Sequence, residues 1–149
     1  MRKLLIFDSS KCTGCLFCEI KCTFRHTGMF GTSKSMIKII TNEKEMLQAA
    51  MVCRHCQSPI CMDLCPVNAI IKSEETGLVS IDSEKCMGCG VCLECPLGGI
   101  SMDDEMGLAQ NCDLCNGKPA CVKFCPQGAL QYVLPGEARR IKTAPIQPV

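Results

Sequence analysis

At 149 residues the chain suffices for one domain or two small ones. Its material for an ordinary core is thin, with no Trp, one Tyr and five Phe, and much of the 47% hydrophobic fraction comes from Cys and nine Met. A formal charge of +1 offers no basic stripe for nucleic acid, and sixteen cysteines, about 11% of the chain, leave either a disulfide scaffold or a metal protein.

The opening residues Met1 to Asp8 hold an apolar stretch too short for a secretory signal, no twin-arginine pair precedes an apolar segment, and eighteen apolar residues never run together. A cytoplasmic location without direct membrane insertion is therefore expected. Thiols stay reduced there, so dense cysteine serves metal rather than disulfides. Leu4 to Phe7 reads as a strand and leads into a first block, Cys12, Cys15, Cys18 and Cys22, spaced C-x2-C-x2-C-x3-C. Residues 24–40 read as a loop with a β run at Met36 to Ile40, and Asn42 to Val52, rich in helix formers, as a short helix.

The second block, Cys53, Cys56, Cys61 and Cys65, is followed by Pro66. Val67 to Lys72 and Leu78 to Asp82 flank a turn containing Gly77, which predicts a hairpin tying this block to the third, Cys86, Cys89, Cys92 and Cys95. The third block stands before Pro96 with one residue fewer ahead of its last Cys, which leaves the reach of Cys95 in question. The fourth, Cys112, Cys115, Cys121 and Cys125, precedes Pro126. Leu130 to Leu134 is expected as a strand, and residues 135–149, with three Pro and the basic Arg139-Arg140 and Lys142, as an extended tail.

FDSSKCTGCLFC at 7–18 matches IDSEKCMGCGVC at 81–92, and the second block parallels the fourth, so two block types alternate as a duplication. The hairpin pairs the second block with the third and leaves the first to meet the fourth. Modules of residues 50–100, and of 1–49 with 101–134, are the result; sequential pairing of first with second and third with fourth is the alternative.

Three thiolates of a C-x2-C-x2-C turn wrap three corners of a 4Fe-4S cube, and in bacterial two-cluster ferredoxins the Cys before Pro serves the other cluster. On the nested pairing, that rule assigns Cys12, Cys15, Cys18 and Cys125 to one cluster, and Cys112, Cys115, Cys121 and Cys22 to its mate. Cys53, Cys56, Cys61 and Cys95 hold the third, and Cys86, Cys89, Cys92 and Cys65 the fourth. All sixteen Cys are then iron ligands, and none is left over. Four oxidised clusters, each contributing about −2 with its thiolates, take the loaded protein to about −7. Structural zinc prefers separated C-x2-C pairs, which unbroken triplets disfavour.

Gly14, Gly88 and Gly90 are read as letting backbone approach a cluster, Met as filler, and His55 and His26 as surface or capping residues rather than partners of cluster sulfur. Lys11 and Lys85, ahead of matching blocks, are read as solvated. No nucleotide loop, substrate motif or spare thiol is present, so no catalytic residue is assigned.

Over residues 5–134 the chain resembles the four-cluster iron-sulfur subunits found beside molybdenum and tungsten oxidoreductases, the dimethyl sulfoxide reductase B-subunit and hydrogenase-linked ferredoxin type. The resemblance implies an α+β fold of two ferredoxin-like two-cluster modules related by a pseudo-twofold. It also implies an electron path between a large catalytic subunit, carrying a tungsten or molybdenum pterin, and a further acceptor or donor subunit or ferredoxin. In its compactness the chain is similar to small subunits of tungsten-containing aldehyde oxidoreductases and class II benzoyl-CoA reductases. Partners of carbon monoxide dehydrogenase, hydrogenase or formate dehydrogenase are the alternatives. An iron-sulfur enzyme with an open cluster, or a zinc module, are the readings from other classes.

Overall fold

The computed structural model describes residues 3–42, 47–139 and 141. One plan occurs twice along the chain. A strand β1 (Leu4–Phe7) enters the first block, which continues into helix α1 (Phe17–Thr27). A hairpin of β2 (Ile37–Asn42) and β3 (Leu47–Val52) then delivers the second block, whose helical turn α2 (Ile60–Leu64) runs out into β4 (Ile70–Lys72). The plan restarts with β5 (Val79–Ile81), the third block with a 3₁₀ turn at Val91–Glu94, and a hairpin of β6 (Ile100–Asp103) and β7 (Leu108–Asn111). The fourth block follows, with α3 (Ala120–Lys123) and β8 (Leu130–Val133).

Each strand pairs antiparallel with one partner among the described residues. Ile70 stands opposite Ile81 in the β4–β5 ladder, and Phe7 opposite Leu130 in β1–β8, so the last strand closes on the first as β4 closes on β5. The first and fourth blocks thereby face each other, with α1 packed on α3. Two hydrophobic clusters result. The larger gathers Leu5, Phe7, Ile37, Val52, Leu114 and Leu130, and the smaller Ile70, Val79, Ile100 and Ala109. Cysteines fill out both, replacing the absent large aromatics.

Three expectations are corrected. Leu47–Val52 is a strand, because pairing with β2 buries Ala50 and Val52 and outweighs the helix propensity of Ala and Met; residues 43–46 lie outside the described segment. Residues 24–27 belong to α1, which stops where Gly28, at φ 72°, returns its N–H to the Phe24 carbonyl. Pro135–Ala138 forms a helical turn rather than extended tail, its Leu134 N–H donating to Glu137 Oε2 at 3.1 Å. Residues 140 and 142–149 of the expected tail lie outside the described residues.

The shortened third block is absorbed locally. Where three residues separate the last two cysteines of the second and fourth blocks, the chain makes the α-helical turns α2 and α3, and where two do, it makes the tighter 3₁₀ turn. Past the last Cys the three Cys-Pro turns are alike. Carbonyls of Cys65, Cys95 and Cys125 accept the N–H of Asn68, Gly98 and Gly128, each in the left-handed region.

Candidate metal centres

The residue just before the second cysteine is left-handed in all four blocks: Gly14 (φ 70°), His55 (φ 47°), Gly88 (φ 69°) and Leu114 (φ 53°). This bends each C-x2-C into a tight loop. Blocks one and three are entered through the same turn, in which an aspartate side chain accepts the N–H two residues on and pairs with a lysine at 3.5 Å: Asp8 with Ser10 and Lys11, Asp82 with Glu84 and Lys85. The second and fourth blocks leave directly from the ends of β3 and β7.

Mutual repulsion of the thiols shows which of them stand together. Cys12 and Cys18 both feel Cys125, and Cys12 also feels Cys15. Cys121 feels Cys112, Cys115 and Cys22. Cys61 feels Cys53, Cys56 and Cys95, and Cys92 feels Cys86, Cys89 and Cys65. The charge of Cys95 thus reaches Cys53 and Cys61 of the second block. Between neighbouring groups, the charge of Cys53 acts on Cys112 and that of Cys18 on Cys121, each raising the thiol it acts on.

All sixteen cysteines are free thiols. Burial, with the charge of neighbouring thiols behind it, pushes Cys18 and Cys112 up to about 12 and Cys61 to about 11, and raises Cys121 further. Four soft sulfur donors gathered where their own thiolates are disfavoured fit a cationic iron-sulfur core, which would draw off the protons and compensate the charge. Backbone amides prepare individual sulfurs: Met36 N–H donates to Cys22 Sγ at 3.4 Å, Ala69 N–H to Cys65 Sγ at 3.3 Å, and Leu114 N–H to Cys112 Sγ at 3.4 Å. Burial opposes ionisation of Cys65, yet amides of Val67, Ala69, Ile70 and Asn68 together bring it below the usual thiol range.

Sequence reasoning missed Asn111, whose Nδ2 donates to Cys53 Sγ at 3.5 Å and to the Val79 carbonyl at 2.8 Å. It joins the ladder of one block to a thiol of another, a contact across 58 positions that no local signal announces. His55 is buried rather than exposed; its Nδ1 accepts the Val79 N–H at 3.0 Å and lies 3.8 Å from Cys53 Sγ. His26 links the first block to the fourth, with Nδ1 2.9 Å from the Cys22 carbonyl and Nε2 3.2 Å from Asp113 Oδ1. The Asp113 carboxylate, helped by the Cys22 side chain, holds His26 protonated up to about 11. His26, Asp113 and Cys115 place donor atoms within 4.8 Å of one another, a mixed set already satisfied by the His26–Asp113 ion pair. Gly88 serves packing: a Cβ there would meet the Gly107 carbonyl at 2.2 Å.

Two groups open outward. A cavity of about 340 Å³ is lined by Cys12, Cys15, Cys18 and Cys125, and one of about 330 Å³ by Cys65, Cys86, Cys89 and Cys92. Their Cys15 and Cys89 are the exposed thiols of the chain. Among the described residues no helix is long and apolar enough to cross a membrane.

Residues 44–134 match the 4Fe-4S dicluster domain family and residues 9–25 a 4Fe-4S binding domain. The chain belongs to the 4Fe-4S dicluster family, and its sixteen cysteines in four-cysteine motifs are consistent with four 4Fe-4S clusters. It is 34% identical over 125 residues to the polyferredoxin-like subunit of an aliphatic sulfonate oxidoreductase from Pyrococcus furiosus, covering 81% of this chain and 70% of that one. It is 36% identical over 132 residues to NADH-dependent phenylglyoxylate dehydrogenase subunit beta of Aromatoleum evansii. That match covers 87% of this chain but 30% of the relative, so the chain spans less than a third of that subunit's length. In fold it is similar to a chain of the BamBC active-site complex of benzoyl coenzyme A reductase with benzoyl-CoA, at TM-score 0.53 and 22% identity, covering 93% of this chain and 84% of that one.

Proposed function

We propose that the chain is a wire of four clusters in which the last cysteine of each block serves the cluster of the facing block. The sets are Cys12, Cys15, Cys18 and Cys125; Cys112, Cys115, Cys121 and Cys22; Cys53, Cys56, Cys61 and Cys95; and Cys86, Cys89, Cys92 and Cys65. The observation that carries this reading is the lining of two cavities, where Cys125 of the fourth block joins Cys12, Cys15 and Cys18, and Cys65 of the second joins Cys86, Cys89 and Cys92. Two modules follow, one of residues 50–100 and one of residues 1–49 with 101–134.

Each bound cluster takes up and releases one electron at a time. The protein's share is to hold the sets in order, to donate hydrogen bonds to sulfur, and to expose the two ends. The charge interactions of Cys121 with Cys18 and of Cys112 with Cys53 support a path that begins at the set with exposed Cys15 and passes through the Cys112 and Cys53 sets. It ends at the set with exposed Cys89. One end meets a large catalytic subunit and the other a further electron carrier, in the cytoplasm. The fold shared with a chain of a benzoyl coenzyme A reductase complex favours a catalytic partner of the tungsten-containing aldehyde oxidoreductase type.

Double replacement tests the ligand sets. Cys53→Ala, Cys95→Ala and the double variant are each expected to lose one and the same cluster, leaving about twelve of sixteen irons after anaerobic purification. A double variant left with about eight irons would place the two thiols on different clusters and overturn the assignment. Four zinc ions and no acid-labile sulfide in the wild type would overturn the electron-transfer reading itself.

A further inference from the structure

The duplication departs from its own symmetry at one place. From Phe17, inside the first block, the chain makes an 11-residue helix and then a loop to Met36, where the second copy makes a 3₁₀ turn of four residues and goes almost directly into β6. This longer segment carries aromatic side chains on its outside. On α1 the buried face holds Cys18, Glu19, Cys22 and Thr23, and Phe17, Lys21 and Phe24, at helical spacing, share the opposite one. Phe30 stacks on Phe24 with ring centroids 4.9 Å apart although it is 82% exposed. Phe124, from α3's end, joins through Lys21, whose Nζ lies 4.2 Å from its ring and 4.9 Å from that of Phe24. Four of the chain's five Phe thus form an exposed strip, and only Phe7 is in the core.

Such concentration of aromatics at the surface marks an interface. The strip starts at Phe17, two residues from exposed Cys15 and next in sequence to Leu16, which lines the cavity that ends the proposed wire. Its charge is positive. Lys21, Arg25 and Lys123 are on it or beside it. The nearby acids are taken: Glu19 is buried, accepting the Ile39 N–H at 2.7 Å with Lys38 Nζ at 3.8 Å, and Asp113 is paired with His26. The loaded protein as a whole is negative, about −7. An acidic partner is therefore attracted here and repelled elsewhere, which orients it.

From these observations, and resting on the electron-carrier reading, we infer that the Phe17–Lys21–Phe24–Phe30–Phe124 strip is the docking surface for an electron-transfer protein whose contact face is apolar at its centre and rimmed by carboxylates.

The test uses anaerobic holoprotein and two probes, an acidic two-cluster ferredoxin and a basic cytochrome c, with stopped-flow rates of electron exchange. The double variant Lys21→Glu with Arg25→Glu is expected to slow exchange with the acidic ferredoxin about tenfold at low salt, an effect that disappears at high salt, without slowing exchange with the cytochrome. Phe30→Ser, at a side chain too exposed to matter for folding, is expected to slow the ferredoxin about threefold at any salt. Unchanged ferredoxin rates in variants that keep sixteen irons would overturn the proposal, as would equal slowing with both probes. So would a holoprotein dimer in sedimentation that Phe30→Ser dissolves, since the strip would then bind a second copy. Failure of the electron-carrier reading looks different: the wild type would lack its irons or exchange electrons with neither probe.

Discussion

The first and third blocks and the second and fourth adopt the same left-handed kink before their second cysteine, yet they use opposite residues to do it. Gly14 and Gly88 occupy it in the first pair; His55 and Leu114, both buried, occupy it in the second. A side chain in that conformation costs roughly 1–2 kcal/mol that glycine does not pay. The blocks that bear this cost are those delivered by hairpins into the seam between the two clusters, where the side chain is itself structural. Leu114 packs in the larger cluster with Leu5, Phe7 and Val52, and His55 takes the Val79 N–H from β5. The lesson is that a kink shared by four metal loops is set by metal geometry, while the residue that fills it is chosen by the neighbouring protein.

The strongest test of that contrast is at Leu114. Leu114→Ala removes a buried side chain and keeps the strain, with an expected cost of about 3 kcal/mol. Leu114→Gly loses the same contacts but returns about 1 kcal/mol of backbone strain, so glycine should be less damaging than alanine. That order is the reverse of the one found within helices. The temperature at which visible absorption bleaches on heating the holoprotein ranks them; alanine ranking above glycine would show that the kink carries no strain.

The glycine blocks separate from each other by what surrounds them. A Cβ at Gly88 would meet the Gly107 carbonyl at 2.2 Å, and backbone in the β6–β7 turn cannot move aside without displacing the hairpin. At Gly14 the nearest atoms belong to the Gln48 side chain at 3.5 Å, ordinary contact. Gly14→Ala should therefore cost about 1 kcal/mol, the strain alone, and Gly88→Ala clearly more, with loss of iron on purification. Equal bleaching temperatures for the two would remove the packing role assigned to Gly88.

Much of this was legible in the residues and some was not, for physical reasons. Sulfur spacing is dictated by a cube of fixed size, so blocks, duplication and cofactor stand out. β1, β8 and the β4–β5 hairpin are apolar runs, the hairpin with Gly77 in its turn, and need no partner to be recognised. β3 reads as helix from sequence because Leu-Gln-Ala-Ala-Met suits a helix in isolation, and only pairing with β2 decides otherwise. The β6–β7 hairpin turns around Gly107 as the β4–β5 hairpin does around Gly77, but its strands mix Ser, Asp, Gln and Asn among the apolar residues and so read less clearly. His55 and Asn111 lay beyond reach because their partner, Val79, belongs to another ladder.

The entrances to the blocks extend the comparison to redox tuning. Ahead of the first and third blocks stand Lys11 and Lys85, paired to Asp8 and Asp82 with their side chains exposed. Ahead of the fourth stands Asn111, which gives an N–H to the Cys53 sulfur from within the seam. A hydrogen bond to sulfur favours the more negative, reduced state and raises the potential. One such bond, at 0.5–1.5 kcal/mol net, corresponds to roughly 20–60 mV for a one-electron couple. Asn111→Leu should lower the potential of the cluster on the Cys53 set by that amount. Lys11→Gln or Lys85→Gln should move theirs by about 10 mV or less, since exposed charges are screened. Redox titration followed by electron paramagnetic resonance reads all three. A lysine variant shifting its cluster more than Asn111→Leu does would mean that net charge, rather than donors in the seam, sets the potentials along the wire.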